Sequence, residues 1–132
     1  MKAGDNTLMA LLMTVALGGA VGACIRYGIV VAVGRLNQGF PYATLIANVA
    51  GCAAIGVVLF LIEQREFLNA QWRMFLVTGI LGSLTTFSTF SYESYALWLS
   101  GERFLAFAAV CANVLMGIAA VSVGWNVASK LT

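Results

Sequence analysis

Four long apolar stretches alternate with short polar ones along the chain. Residues 6–25 carry no charge, Arg26 interrupts, and 27–34 continue apolar, which predicts a first span over roughly 7–33. A second uncharged run covers about 42–62, a third begins near Met74 and ends near Leu99, and a fourth fills 104–128 before Lys130. The polar segment 35–40 (RLNQGF) followed by Pro41 predicts a short loop. Glu63-Gln64-Arg65-Glu66 and the residues up to Arg73 read as a polar loop or short interfacial helix, with Trp72 at an interface position. Ser100-Gly101-Glu102-Arg103 reads as a tight turn. At about 1.5 Å per residue each apolar run can cross a hydrocarbon core of about 30 Å. The pattern predicts one all-α integral membrane domain over residues 1–132, with four transmembrane helices and both termini on one side.

One stretch breaks the apolar pattern from within. Gly82-Ser83-Leu84-Thr85-Thr86-Phe87-Ser88-Thr89-Phe90-Ser91 lies inside the third run, yet six of its ten residues are Ser or Thr. A span that only anchors a protein needs none of those hydroxyls. In hydrocarbon each must find a partner, so the stretch belongs inside an assembly or beside a pathway. Gly79, Gly82 and the Thr85-Thr86 pair are also poor helix formers, so a break in the third helix is expected there. A broken membrane helix frees backbone carbonyls that can bind a cation such as Na⁺.

Composition narrows the class. The apolar fraction is 61% and the charged fraction 9%, against about half and a quarter in soluble domains. A net charge of +2, carried by single scattered basic residues, gives no footprint for nucleic acid. There is no His and no CxxC, which argues against a zinc or haem site, and no nucleophile–base pair points to an enzyme. Cys24, Cys52 and Cys111 lie in apolar runs and read as packing residues. Val21-Gly22-Ala23-Cys24 has the look of a lipoprotein cleavage box, but the apolar chain resumes after Arg26, so the first run reads as a retained helix.

The basic residues sort almost evenly between the two sides. Lys2, Arg65, Arg73 and Lys130 fall on the side of the termini, and Arg26, Arg35 and Arg103 on the other. Orientation normally follows a Lys/Arg bias. Its near absence here predicts insertion in both orientations and pairing of the chain with itself in an antiparallel dimer. Small residues mark close helix contacts: Gly18-x-x-x-Gly22 in span one, Ala47, Ala50, Gly51 and Ala54 in span two, and Ala106, Ala109, Asn113, Gly117, Ala120 and Gly124 in span four. Four helices leave little interior for a pathway, so a pathway at a dimer interface is the natural extension.

Few polar side chains enter the spans. Asn48 and Asn113 could each be interhelical glue of about 0.6–2 kcal/mol, or could present N–H donors to a solute. A dehydrating anion needs donors, and neutral amides and hydroxyls supply them. Arg26 could snorkel to the nearer interface or give a water-filled vestibule a positive potential. Glu93 is the one carboxylate well inside a span. Phe87 and Phe90, at i and i+3, share a helix face. An aromatic ring has a positive edge that can favour a small anion. The residues alone point to a homodimeric channel or transporter for a small polar solute, with an anion as one candidate.

The chain resembles the CrcB/Fluc family of fluoride channels. Gly18-Gly19-x-x-Gly22-Ala23-x-x-Arg26-Tyr27 matches the family's first span, and Thr44-Leu45-x-x-Asn48-x-x-Gly51 its second. Gly79-x-x-Gly82-x-Leu84-Thr85-Thr86-Phe87-Ser88-Thr89-Phe90-Ser91-x-Glu93 matches the third, and is the most specific of the three. The resemblance implies an antiparallel dual-topology homodimer with two pores in the inner membrane, conducting fluoride passively and protecting the cell from it. It implies that Phe87 and Phe90 are pore aromatics and Asn48 a pore amide. Asn113 would lie on a polar track of span four, Ser88 and Thr89 would be lining hydroxyls, and Arg26 would stand near the entrance. It implies a structural Na⁺ at the dimer centre, held by backbone carbonyls of Gly82 and Thr85 from both subunits. Two positions depart from the usual pattern: Ser83 stands where the family often has Gly before Leu-Thr-Thr-Phe, and Ala43 where it often has Gly before Thr-Leu.

Two other classes compete. Small proton-coupled multidrug antiporters can also be four-helix dual-topology dimers, but they resemble one another in a first-span carboxylate, where this chain has Arg26. A non-transporting anchor or assembly protein would leave the third-span hydroxyls without a use.

Overall fold

The computed structural model describes residues 2–34, 39–65 and 69–131, with side chains described from Thr7 onward. Arg35 and Glu66, and the side chain of Lys2, which enter the charge sorting and the polar loops above, lie outside the described residues. Within them the chain is all-α. Helix α1 spans Lys2–Val33, α2 Tyr42–Arg65, α3 Ala70–Arg73, a π-helical segment π1 Met74–Leu81, α4 Gly82–Leu84, α5 Phe87–Leu99 and α6 Arg103–Leu131. Four apolar spans result: Thr7–Val33, Tyr42–Arg65, Ala70–Leu99 and Arg103–Leu131. Where no water is available, the backbone must satisfy its own polar groups, and helices do this within one segment.

The fourth helix runs three residues further than the hydropathy reading, through Lys130 to Leu131, and two other ends differ for local reasons. The second helix continues through Glu63 and Gln64 to Arg65, a basic residue suited to the negative end of the helix dipole. The third span begins at Ala70 rather than near Met74, because Asn69 caps it: its Oδ1 accepts from Trp72 N–H at 3.0 Å. The first turn therefore carries Trp72 and Arg73 in a short helix, the second of the two forms expected for this segment.

The third span is built from four pieces in series. After α3, the helix widens so that Gly82 N–H reaches back five residues to the Val77 carbonyl, the hydrogen-bond pattern of a π-helix. Helix α4 follows, then two extended residues, Thr85 (φ −79°, ψ 151°) and Thr86 (φ −149°, ψ 115°), then α5. The break thus falls on the Thr-Thr pair that the sequence marked.

Glycines set how closely the helices approach. A Cβ on Gly18 would strike the Phe75 carbonyl, and one on Gly22 the Ile80 carbonyl, so α1 lies backbone-to-backbone against π1. Gly79 returns the contact against Gly18. Helices α2 and α6 form a second such pair, with Gly56 against Val121 and Trp125 and Gly124 against Ala53. Phe60 closes one end of that pair, edge-on to Trp125 with ring centroids 5.2 Å apart. At the α5–α6 turn Gly101 takes φ 88°, a left-handed conformation that L side chains rarely adopt. The buried set is mostly small, including Ala43, Ala47, Ala106, Ala109, Ala120 and Ala128, while large apolar residues such as Leu12, Leu17, Phe104 and Phe107 are exposed on the outer faces. This is the distribution expected of helices packed through small residues and wrapped by lipid.

Candidate functional site at the helix break

The break is held by α2. Asn48 Oδ1 accepts from Thr86 N–H at 2.8 Å, and Asn48 Nδ2 donates back to the Thr86 carbonyl at 3.3 Å. The side-chain amide thus pairs with one residue's backbone much as a neighbouring strand would. Three residues on, and so on the same face of α2, Gly51 leaves room for Thr85: a Cβ there would strike the Thr85 methyl. The second-span motif is a socket for the two extended threonines, Asn48 taking one and Gly51 the other.

Helix α6 orients the clasp. Asn113 Nδ2 donates to the Ala109 carbonyl of its own helix at 3.0 Å, which turns Asn113 Oδ1 toward Asn48. Asn48 Nδ2 donates to that oxygen at 2.9 Å. Both amide groups are therefore glue in this protomer, and both face the same cavity.

Thr86 also starts α5. Its Oγ1 accepts from Thr89 N–H at 3.2 Å, an N-cap bond, and lies 3.0 Å from Thr89 Oγ1 and 3.3 Å from Ser88 Oγ. The helix N-terminus at Phe87 carries the positive end of a dipole and N–H groups without intrahelical partners. On the other side of the break, two carbonyls lose their helical donors. In a continuous helix Thr86 N–H would bond to Gly82 O and Thr89 N–H to Thr85 O. The first goes to Asn48 and the second to Thr86 Oγ1. Leu81 O, by contrast, is fully used, accepting from both Thr85 N–H at 3.1 Å and Thr85 Oγ1 at 2.9 Å. The donor set at Gly82 and Thr85, two neutral oxygens on one short segment, suits a hard monovalent cation.

A cleft of about 360 Å³ opens beside the break. Asn48, Asn113, Thr85, Thr86, Phe87 and Phe90 line it, with Gly82, Cys52 and apolar neighbours completing the wall. The two Phe rings meet at 62° with centroids 5.6 Å apart, an edge-to-face contact rather than a stacked one. Sequence reasoning placed Asn48, Asn113, Phe87 and Phe90 in one pathway, and the fold brings all four together. Ser88 and Thr89 do not line this cleft. Thr89 lines a second cavity of about 210 Å³ with Arg26, Tyr27, Thr44 and Thr86. Arg26 therefore stands in that second cavity and not beside the Phe pair. Thr86 is common to both cavities. Its central place is not marked by the hydropathy pattern, although Thr is a favoured residue at a helix N-cap. Ser83, the departure from the usual glycine, donates its Oγ to the Gly19 carbonyl of α1 at 2.7 Å and so bolts α4 to the first span.

Comparison with known proteins decides the family. The profile of the family described as "CrcB-like protein, Camphor Resistance (CrcB)" matches residues 13–125. The chain belongs to the CrcB/FluC fluoride channel family. Among its CrcB/FluC relatives, a protein of Desulfotalea psychrophila named "Fluoride-specific ion channel FluC" is 41% identical over 119 residues, 90% of this chain and 92% of that one. A protein of the same name from Chloroflexus aurantiacus is 45% identical over 114 residues, 86% and 90% of the two chains. One from Saccharophagus degradans is 43% identical over 125 residues, 95% and 94%. The CrcB/FluC match therefore takes in the whole break, its α2 socket and Asn113 on α6.

Proposed function

We propose that this chain is a fluoride-selective, passive ion channel that releases cytoplasmic fluoride and so protects the cell from fluoride toxicity. The observation that carries the reading is the construction of the break. It places a positive helix end, two phenylalanine rings and two neutral amides around one cleft, beside the Gly82 and Thr85 carbonyls whose helical donors are engaged elsewhere. A small, strongly hydrated anion entering the cleft would exchange water for the N–H groups at the start of α5 and for ring edges, the donors of Asn48 being engaged by Thr86 and Asn113. The apolar remainder of the wall disfavours a charged group that brings its water along. Relatives named as fluoride-specific channels support the choice of fluoride among small anions.

The working unit in this reading is an antiparallel homodimer of dual topology, with two pores, in the inner (plasma) membrane. The exposure of Phe87 and the open cleft beside it support a second copy as the missing wall. The carbonyls of Gly82 and Thr85 would hold a Na⁺ together with the same carbonyls of the second copy, and that ion would supply a fixed positive charge and tie the two breaks together. Arg26 would bias the second cavity toward anions from the membrane surface. Ser88 and Thr89 would order the start of α5 through Thr86.

The proton-coupled antiporter remains the second reading because Glu93 buries Oε2 without a hydrogen-bond partner among the described residues. A growth experiment separates the two. Expression in bacteria stripped of their own fluoride exporter should restore growth on fluoride. Resistance to cationic drugs without fluoride rescue would favour the antiporter.

A further inference from the structure

The amide relay from α6 to the break assigns Asn48 a second role. Four groups stand in series: Ala109 O accepts from Asn113 Nδ2, Asn113 Oδ1 from Asn48 Nδ2, and Asn48 Oδ1 from Thr86 N–H. Each amide can be turned only one way in this chain. Reversing Asn113 would set its NH₂ against the NH₂ of Asn48 and leave Ala109 O facing an oxygen. Reversing Asn48 would set its NH₂ against Thr86 N–H. The relay therefore ends with an acceptor aimed at the one backbone donor that a helix would give to Gly82 O. Asn48 has thereby taken the donor that a helix would give to Gly82 O.

We infer that Asn48 is a positioning residue for the cation site, in addition to lining the anion cleft: by capturing Thr86 N–H it keeps the Gly82 carbonyl available to a Na⁺ ligated by Gly82 and Thr85. The inference rests on the proposed cation site and adds a residue that touches neither the ion nor its oxygens. Without Asn48, Thr86 N–H has no acceptor on α2, and the nearest alternative along the chain is the helical one, Gly82 O. The second ligand is protected differently, because Thr86 Oγ1 holds the donor that would otherwise reach Thr85 O. Loss of Asn48 should weaken the cation site by removing one of its two carbonyls while leaving the other. Asn48 would then join the two functions of the break: the side chain that walls the anion cleft also keeps a carbonyl of the cation site available.

The test uses the purified full-length protein in detergent, with thermal unfolding followed as Na⁺ replaces N-methylglucamine at constant ionic strength. Wild type should unfold at a higher temperature in Na⁺, with a half-maximal Na⁺ concentration that measures the site. Asn48→Leu, which removes the acceptor, should raise that concentration about tenfold or more, the cost typical of losing a residue that orients metal ligands. Asn48→Asp keeps an acceptor for Thr86 N–H, loses the donors and adds a negative charge near the cation ligands, so its half-maximal Na⁺ should not rise above that of wild type while fluoride flux collapses. Equal Na⁺ responses in wild type and Asn48→Leu would overturn the inference and leave Asn48 as a cleft residue only. Loss of the Na⁺ response in Asn48→Asp would overturn it as well. No Na⁺ response in wild type would instead remove the cation site itself, and the inference with it. If Asn48→Leu does not fold, Asn113→Leu carries the test. That variant leaves Asn48 without its orienting acceptor, and a shift of about threefold or more is expected. An unchanged value would overturn the relay.

Discussion

Phe87 and Phe90 sit 5.6 Å apart on one face of α5, yet Phe87 is 80% exposed and Phe90 only 9%. The pair is half inside the protomer and half outside it. Phe90 is fixed by its own chain, whereas Phe87 presents its ring to whatever lies beyond the cleft. Both rings should matter for flux but differ in their effect on the fold. Phe87→Ile and Phe90→Ile should each reduce fluoride efflux by about tenfold or more, corresponding to about 1.4 kcal/mol of lost stabilisation. Phe90→Ile should also lower the unfolding temperature, and Phe87→Ile should not lower that of the protomer. Efflux from proteoliposomes and thermal unfolding read the two effects separately.

Ser83 offers a test of the bolt between α4 and α1. Ser83→Gly restores the residue more usual in the family's motif and removes the 2.7 Å hydrogen bond to Gly19 O. The expected cost is about 1 kcal/mol of stability, with fluoride flux kept within a few-fold because no cleft residue changes. A collapse of flux in a stable Ser83→Gly protein would place Ser83 in the pathway.

Gly22→Ala examines the α1–π1 contact. The added methyl would meet the Ile80 carbonyl, a backbone group that cannot swing aside. Overpacking of this kind costs about 1–3 kcal/mol, and thermal unfolding should show it as a clear drop. Gly19→Ala on the same helix has nothing within 4 Å of the new methyl and serves as the neutral control.

Topology can be read at the α5–α6 turn. In a background with Cys24, Cys52 and Cys111 replaced by Ser, Ser100→Cys should react with a membrane-impermeant thiol reagent from both faces of the membrane in comparable amounts. Labelling from one face alone would contradict the dual-topology dimer.

Much of this architecture could be read along the chain, and the parts that could not share a cause. The four spans are visible because charges are sparse within them and gather between them. The break is visible because Gly79, Gly82, Thr85 and Thr86 cluster where a span should be uniformly apolar. The π-helical segment is hidden, since MFLVTGIL is an ordinary apolar string and nothing within it marks the close approach of Gly18 and Gly22 from another helix. The partner of Asn48 is hidden for the same reason: Thr86 lies 38 residues away, and only the α2–break contact joins them. Local patterns carry element type and position. Long-range pairing decides whether Asn48 points its donors into a cleft or spends them on Asn113 and Thr86, and whether Arg26 stands with the Phe pair or in the neighbouring cavity.

Passive efflux from proteoliposomes, with fluoride and chloride loaded separately and no proton gradient imposed, tests the central claim most directly. The account predicts rapid fluoride loss, negligible chloride loss, and a larger effect of Phe90→Ile than of Glu93→Gln. A well-folded protein that releases no fluoride under these conditions, or one in which Glu93→Gln is the more damaging change, would contradict it.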